Sequence, residues 1–169
     1  RMLETKIEMM INWLYTIRFK NGDLPMVNDS TDNQALDTNI LLDYANKLGF
    51  TPSNICLFDC GYRKLNHSNF ELFLDVGKIG PDYQPGHAHS DTLSFILYYK
   101  QNPIIVDTGI STYEKNQTRF TERSTASHNT VMVNDIEQSD VWGGFRVGRR
   151  AECFIVNDTM NAVKARHNG

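Results

Sequence analysis

The chain has 169 residues, 40% of them hydrophobic, and a formal net charge of −3. That is enough apolar content for one good core, while the weak charge and the absence of a basic cluster remove the usual case for nucleic acid or an anionic membrane surface. No apolar run approaches the ~20 residues that span a bilayer, so one soluble domain with an appendage is expected.

The chain opens Arg1-Met2-Leu3-Glu4 and passes straight into a helical pattern, with no charged leader or cleavable apolar segment. Either the protein has no such signal or these residues were cut from a longer one. Leu3, Ile7, Met10, Ile11, Trp13, Leu14 and Ile17 recur at three- and four-residue spacings, which predicts an amphipathic helix over 2–19, stopped by Asn21-Gly22. A polar loop follows, with Pro25 and the turn-forming Asn28-Asp29-Ser30. Thr31-x-x-Gln34 reads as a capping box for a second helix, whose apolar positions Leu36, Ile40, Leu41, Tyr44, Ala45 and Leu48 run to Gly49. Two helices bury little alone and call for a partner upstream.

From Thr51-Pro52 the pattern changes to short alternating runs at 55–58, 70–76, 93–99, 104–106, 130–133, 151–156 and 162–165, separated by turn residues. With no helical pattern between them, these runs predict an antiparallel β-sandwich rather than a parallel sheet. Asn102-Pro103 and Asn134-Asp135 supply hairpin punctuation, and a domain boundary falls near residue 51. Cys56, Cys60 and Cys153 make neither a disulfide framework nor a zinc-ribbon spacing. They are expected to be buried thiols.

The chemistry concentrates in Gly86-His87-Ala88-His89-Ser90-Asp91-Thr92-Leu93-Ser94-Phe95. Pro85-Gly86 predicts a turn, and in an extended chain the two histidines, one residue apart, project to the same side. The strand is expected from Leu93. Asp107 ends the apolar run Pro103-Ile104-Ile105-Val106, where an unpaired carboxylate would suffer a large desolvation penalty. It either caps the Thr108-Gly109 turn or binds a partner, a metal among them. His128 opens the run Asn129-Thr130-Val131-Met132-Val133, a further expected strand. His89, Asp107 and His128 offer the neutral imidazoles and carboxylate that zinc takes, leaving one position open.

Two short-motif readings of His-x-His fail. A cupin needs a glutamate three or four residues past the second histidine, and none stands there. The metallo-β-lactamase pattern His-x-His-x-Asp-His fits through Asp91 and breaks at Thr92.

The wider run, residues 79–95 with Pro85-Gly86-His87-Ala88-His89-Ser90-Asp91, then Ile104-Ile105-Val106-Asp107-Thr108-Gly109, Glu122-Arg123-Ser124-Thr125-Ala126-Ser127-His128-Asn129-Thr130-Val131 and Trp142-Gly143-Gly144-Phe145-Arg146, closely resembles the C-terminal part of the heparinase II/III family of polysaccharide lyases. The resemblance is strong from about Ile55 to Arg150. It implies that residues 1–50 are the end of an α/α toroid and that 51–169 are the β-sandwich domain. It implies β-elimination on a uronate-containing acidic polysaccharide, with His87 at the proton-transfer site and His89, Asp107 and His128 as structural zinc ligands that hold the loop aiming His87. The family's other catalytic groups belong to the upstream toroid, so the 169 residues alone are expected to be inactive. Secretion or a periplasmic location is implied in the same way. A non-lytic sugar-binding domain, or one that processes capsule or exopolysaccharide, is the alternative.

Arg119, Arg123, Arg146, Arg149 and Arg150 are candidates to hold a substrate carboxylate or sulfate, for which a guanidinium fork is suited. Arg123, inside the His128 motif, is the preferred one. Trp142 is expected in the core, and His67 in a turn.

Overall fold

The computed structural model describes residues 2–32 and 34–169; Arg1, which opens the expected helical segment, and Asn33, inside the expected capping box, lie outside the described residues. Helix α1 (Met2–Ile17) forms where the apolar spacing predicts it. It stops short of Phe19 because the chain turns: Phe19 N–H donates to Asp23 O (2.8 Å) and Gly22 N–H to Phe19 O (2.9 Å), with Gly22 at φ +102°. Helix α2 (Thr38–Lys47) starts later than expected. The capping box at Thr31 and Gln34 is not its cap, because Asp37 stands at the first turn and its Oδ1 accepts from Asn39 N (2.8 Å) and Ile40 N (3.4 Å). Most of the apolar stripe of both helices, including Leu3, Ile7, Met10, Tyr44 and Leu48, remains exposed.

Strands β1 (Tyr62–His67), β2 (Phe70–Asp75), β3 (Phe95–Tyr99) and β4 (Asn102–Ile105) form one antiparallel sheet in that order. The register sets Phe73 against Ile96 and Glu71 against Tyr98, and the side chains of Phe73, Ile96 and Tyr98 meet Ile17, Phe19 and Leu57 in the apolar core. Phe19 stacks on Tyr98 with ring centroids 3.7 Å apart. This face is thus covered by the end of α1. On the same face Lys64 pairs with Glu71 (3.4 Å) and donates to Arg18 O. Arg63 instead reaches Asp158 (2.7 Å).

Asp158 ends β7 (Cys153–Asp158), which pairs with β8 (Val163–His167); β5 (Val141–Trp142) and β6 (Arg146–Val147) make a second ribbon. The fold is mainly β and antiparallel, as expected, with one four-stranded sheet and two two-stranded ribbons among the described residues.

Several local expectations are corrected. The β3–β4 turn is Lys100-Gln101, both at positive φ (49° and 64°), as a two-residue primed turn requires; Asn102-Pro103 lies in β4, an edge strand that tolerates a missing N–H. Residues 55–58 give way to a 3-10 turn at Phe58–Cys60, and β1 forms just after it. The alternation of β1 is hidden because Arg63 and Lys64 are buried through ion pairs. The run 130–133 is no strand, since it has no neighbouring strand and Val131 and Val133 are exposed. A short helix α3 (Gln117–Glu122), capped by Asn116, was not expected. Asn134-Asp135 does form its turn, closed by a Val133–Ile136 bridge. Cys56 and Cys60 are exposed and Cys153 half-buried, all three free, against the expected burial.

Candidate active site and metal centre

Ala88 N–H donates to Pro85 O (2.9 Å) and closes the turn that Pro85-Gly86 predicts. Residues 87–94 do not extend the strand: Leu93 lies at φ 63°, Ser94 N–H donates to Asp91 O (2.9 Å), and β3 begins only at Phe95. The two histidines therefore share their target through a turn instead of a strand face. The turn is fastened by buried polar groups. Arg123 Nε and Nη2 donate to Ala88 O (3.2 and 2.8 Å), Ser90 N–H donates to Arg123 O (3.0 Å), and Ser90 Oγ shares a hydrogen bond with Thr125 Oγ1 (2.7 Å).

Both imidazoles converge on one carboxylate from the loop between α1 and α2. His87 Nδ1 lies 2.6 Å from Asp29 Oδ2, and His89 Nε2 lies 2.9 Å from Asp29 Oδ1. Arg119 of α3 brings its fork to the same group, Nη1 on Oδ1 and Nη2 on Oδ2 (2.8 Å). Arg119 is itself fully buried, with Nε donating to Gly144 O (3.0 Å) and its guanidinium over the Tyr113 and Phe145 rings. The Asp29 loop is pinned by Ile110 N–H donating to Ser30 O (3.0 Å). Gly109 makes that approach possible: it sits at φ +60°, and a Cβ there would lie 2.1 Å from Ser30 O. Burial raises the Asp29 pKa, but the hydrogen bonds from His89, Arg119 and His87 outweigh it and hold the carboxyl well below the usual range.

His89, Asp107 and His128 are brought together. The His89 and His128 rings are 5.2 Å apart between centroids. Asp107 Oδ2 lies 2.6 Å from His128 Nδ1, and its Oδ1 accepts Gly109 N–H (3.0 Å), so this carboxylate both caps its turn and holds a histidine. The second nitrogen of each histidine, His89 Nδ1 and His128 Nε2, is buried without a hydrogen-bond partner. Two imidazoles that turn a bare nitrogen inward and rest the other on a carboxylate have the donor set and the backing that zinc-bound histidines show. These two nitrogens are left free for a ligand such as a metal, Asp107 stands behind His128 on its other ring nitrogen, and no cluster of three ligand side chains is closed among the described residues. Burial lowers the His89 pKa despite Asp29, whereas His128, also buried, is raised by the Asp107 hydrogen bond and the Asp91 charge.

His87, with 60% of its side chain exposed, lines an open cleft of about 670 Å³ together with Asn28, Tyr62, Lys78, Gln84 and Asp91. Burial pushes up the carboxyl groups of Asp91 and Asp75 in its lining, the latter to about 8, with the Asp91 charge adding to the rise of Asp75 and the Asp107 charge to that of Asp91.

The preferred substrate arginine, Arg123, is 1% exposed and turns its guanidinium inward onto Ala88 O, so its contact is with the histidine turn. Trp142, expected in the core, is 54% exposed and lies beside the Arg146 guanidinium, because its two-stranded ribbon offers no second layer. His67 closes β1 at the edge of the Ser68-Asn69 turn. Asp29 was legible only as a turn former, and Arg119 only as one of five arginines. Their sequence separation of 90 residues gives no local signal.

A protein-family model described as Heparinase II/III-like, C-terminal, matches residues 56–169. Among solved structures, the crystal structure of heparinase III is similar with a TM-score of 0.59 at 18% sequence identity, covering 90% of this chain and 28% of that one. The likeness is one of fold, and the chain spans little more than a quarter of that protein. No curated protein matches.

Proposed function

We propose, because the chain belongs to the heparinase II/III-like, C-terminal family, that it is the β-rich part of a polysaccharide lyase cleaving uronate-containing acidic polysaccharide by β-elimination. In that reaction a base takes the proton at C5, beside the uronate carboxylate. The electron pair forms the C4=C5 double bond as the C4–O bond breaks, and the departing oxygen takes a proton. His87 is the group of this chain assigned to the proton transfer. The observation that carries the reading is an exposed imidazole at the rim of a large cleft, one nitrogen tied to a carboxylate and the other left to face a substrate. Arg123 serves by holding the turn that presents it.

A structural zinc, held by His89 and His128 with Asp107 behind His128, would tie the histidine turn to the 107–110 and 125–128 segments. Its support is the pair of buried, unpartnered imidazole nitrogens. Residues 1–50 are assigned to the end of an upstream helical domain, with a boundary near residue 51. The exposed stripe of Leu3, Ile7, Met10 and Tyr44 is the face on which that domain packs. The lyase's remaining catalytic groups lie there, so the 169 residues alone form no product. The periplasm or the outside of the cell is the location this reading assigns, since its substrates would be extracellular polymers.

The test is the whole protein, upstream residues included, assayed on heparan sulfate, hyaluronan and alginate for unsaturated uronate product. His87→Ala should lower turnover by about 10²–10⁴-fold with the unfolding midpoint unchanged. Polymer binding without product would move the reading to a non-lytic sugar-binding domain. For the metal, zinc at about a hundredfold above its Kd should stabilise the wild type by about 2.7 kcal/mol and leave His89→Ala unmoved. An equal response in both would sink the assignment.

A further inference from the structure

We propose that Asp29 is a positioning residue that fixes the tautomers of both histidines of the His-Ala-His turn, presenting Nε2 of His87 to the cleft and Nδ1 of His89 to the buried pocket beside His128. The inference rests on the reading of His87 as the proton-transfer group and goes one residue behind it. Each oxygen of Asp29 meets one imidazole nitrogen and one guanidinium nitrogen: Oδ1 takes His89 Nε2 and Arg119 Nη1, Oδ2 takes His87 Nδ1 and Arg119 Nη2. An ionised carboxylate only accepts, and arginine only donates. All four partners must therefore donate. A neutral His87 then carries its proton on Nδ1 and keeps the lone pair on Nε2, whereas a neutral His89 carries it on Nε2 and keeps the lone pair on Nδ1.

The two histidines are thus set in opposite tautomers by one group. His89 Nδ1 is buried with no hydrogen-bond partner of either kind, so nothing on that side of the ring opposes the tautomer that Asp29 sets. Arg119 is what makes the arrangement consistent. On a carboxylate this buried, 6% exposed, the fork adds a second donor to each oxygen and leaves neither a site for a proton that could be turned toward a histidine. The Arg119 fork keeps it charged, and Tyr113 and Phe145 keep the fork in place. The loop is held as firmly as its partners, through Ser30 Oγ donating to Val27 O (2.6 Å) and Ile110 N–H to Ser30 O (3.0 Å). Neither asparagine nor glutamine can replace this carboxylate, because an amide offers one accepting atom and one donating atom to two histidines that both donate.

The direct measurement is long-range proton–nitrogen correlation NMR of the imidazoles in the 169-residue chain. His87 should be protonated on Nδ1 and His89 on Nε2; a wild-type His87 protonated on Nε2 alone overturns the proposal. Asp29→Asn should leave at least one of the two in a mixture of tautomers. In the whole enzyme the same change should lower kcat by about 10²-fold or more, toward the roughly 10⁴-fold loss seen when the carboxylate behind a catalytic imidazole becomes an amide, with KM within about twofold. A folded Asp29→Asn variant with both tautomers and kcat intact sinks it. If that variant does not fold, the wild-type spectrum still decides. Wild-type spectra as stated, with no cleavage of any polymer, would defeat the lyase reading and leave the positioning role standing.

Discussion

Under the four-stranded sheet the fully buried large side chains are Phe19, Phe73 and one carboxylate, Glu71, which Lys64 pairs, while around the histidine turn they are Arg119, Arg123, His89 and Gln138. The first interior is built by regular elements that remove apolar area from water, and its members are interchangeable in kind. The second is built almost without strands. Its members are fixed by partners: Ser90 to Thr125 and Ser139, Arg123 to Ala88, Arg119 to Asp29. A polar interior is stable only when its groups are satisfied together. The comparison teaches a division of labour, in which the apolar half supplies the stability and the polar half converts part of it into fixed nitrogen positions.

The largest effect that tests this division is in the apolar half. Phe73→Ala removes a ring that is 1% exposed and should cost about 3–5 kcal/mol, read as a fall in urea midpoint with an unchanged slope. A loss below about 1 kcal/mol would mean that the sheet core does not carry the fold. The next tests the unity of the polar half. Arg119→Met leaves Asp29 buried and uncompensated, which is costly alone, whereas adding Asp29→Asn removes the stranded charge. The double variant should be more stable than the sum of the singles predicts by about 1–3 kcal/mol. Additivity within about 0.5 kcal/mol would show that these groups are not a unit.

The same contrast explains what could be read from the sequence. β2, β3 and α1 were legible because Phe70 to Asp75, Phe95 to Tyr99 and Met2 to Ile17 carry the apolar period of their own element. The meeting of His89, Asp107 and His128 was legible through the run of motifs, since each lies beside turn residues that mark it. Asp29 was not, because nothing in Asn28-Asp29-Ser30 separates a turn aspartate from one that meets His87 58 residues later. β1 escaped for a related reason: Arg63 and Lys64 read as solvent residues until Asp158 arrives from β7 and Glu71 from across the β1–β2 hairpin. Polar burial is decided by partners, and partners are not periodic.

Lys64 gives the smallest and finest test, because it is a polar intrusion into the apolar interior. Burial pulls its pKa down to about 8 from 10.5, against the charge of Glu71. Between those values the folded protein binds fewer protons than the unfolded chain, so this residue makes stability rise with pH across that window. One group contributes at most about 1.4 kcal/mol per pH unit. Cys153 pushes the other way, since burial raises its thiol and its folded form holds a proton that the unfolded chain releases. The two are separated by comparing urea midpoints of wild type and Lys64→Gln between about pH 8 and 10. Wild type should gain on the variant as pH rises. Parallel curves would mean that Lys64 keeps its full charge in the fold, and that the apolar interior is wetter around the Glu71 pair than its burial implies.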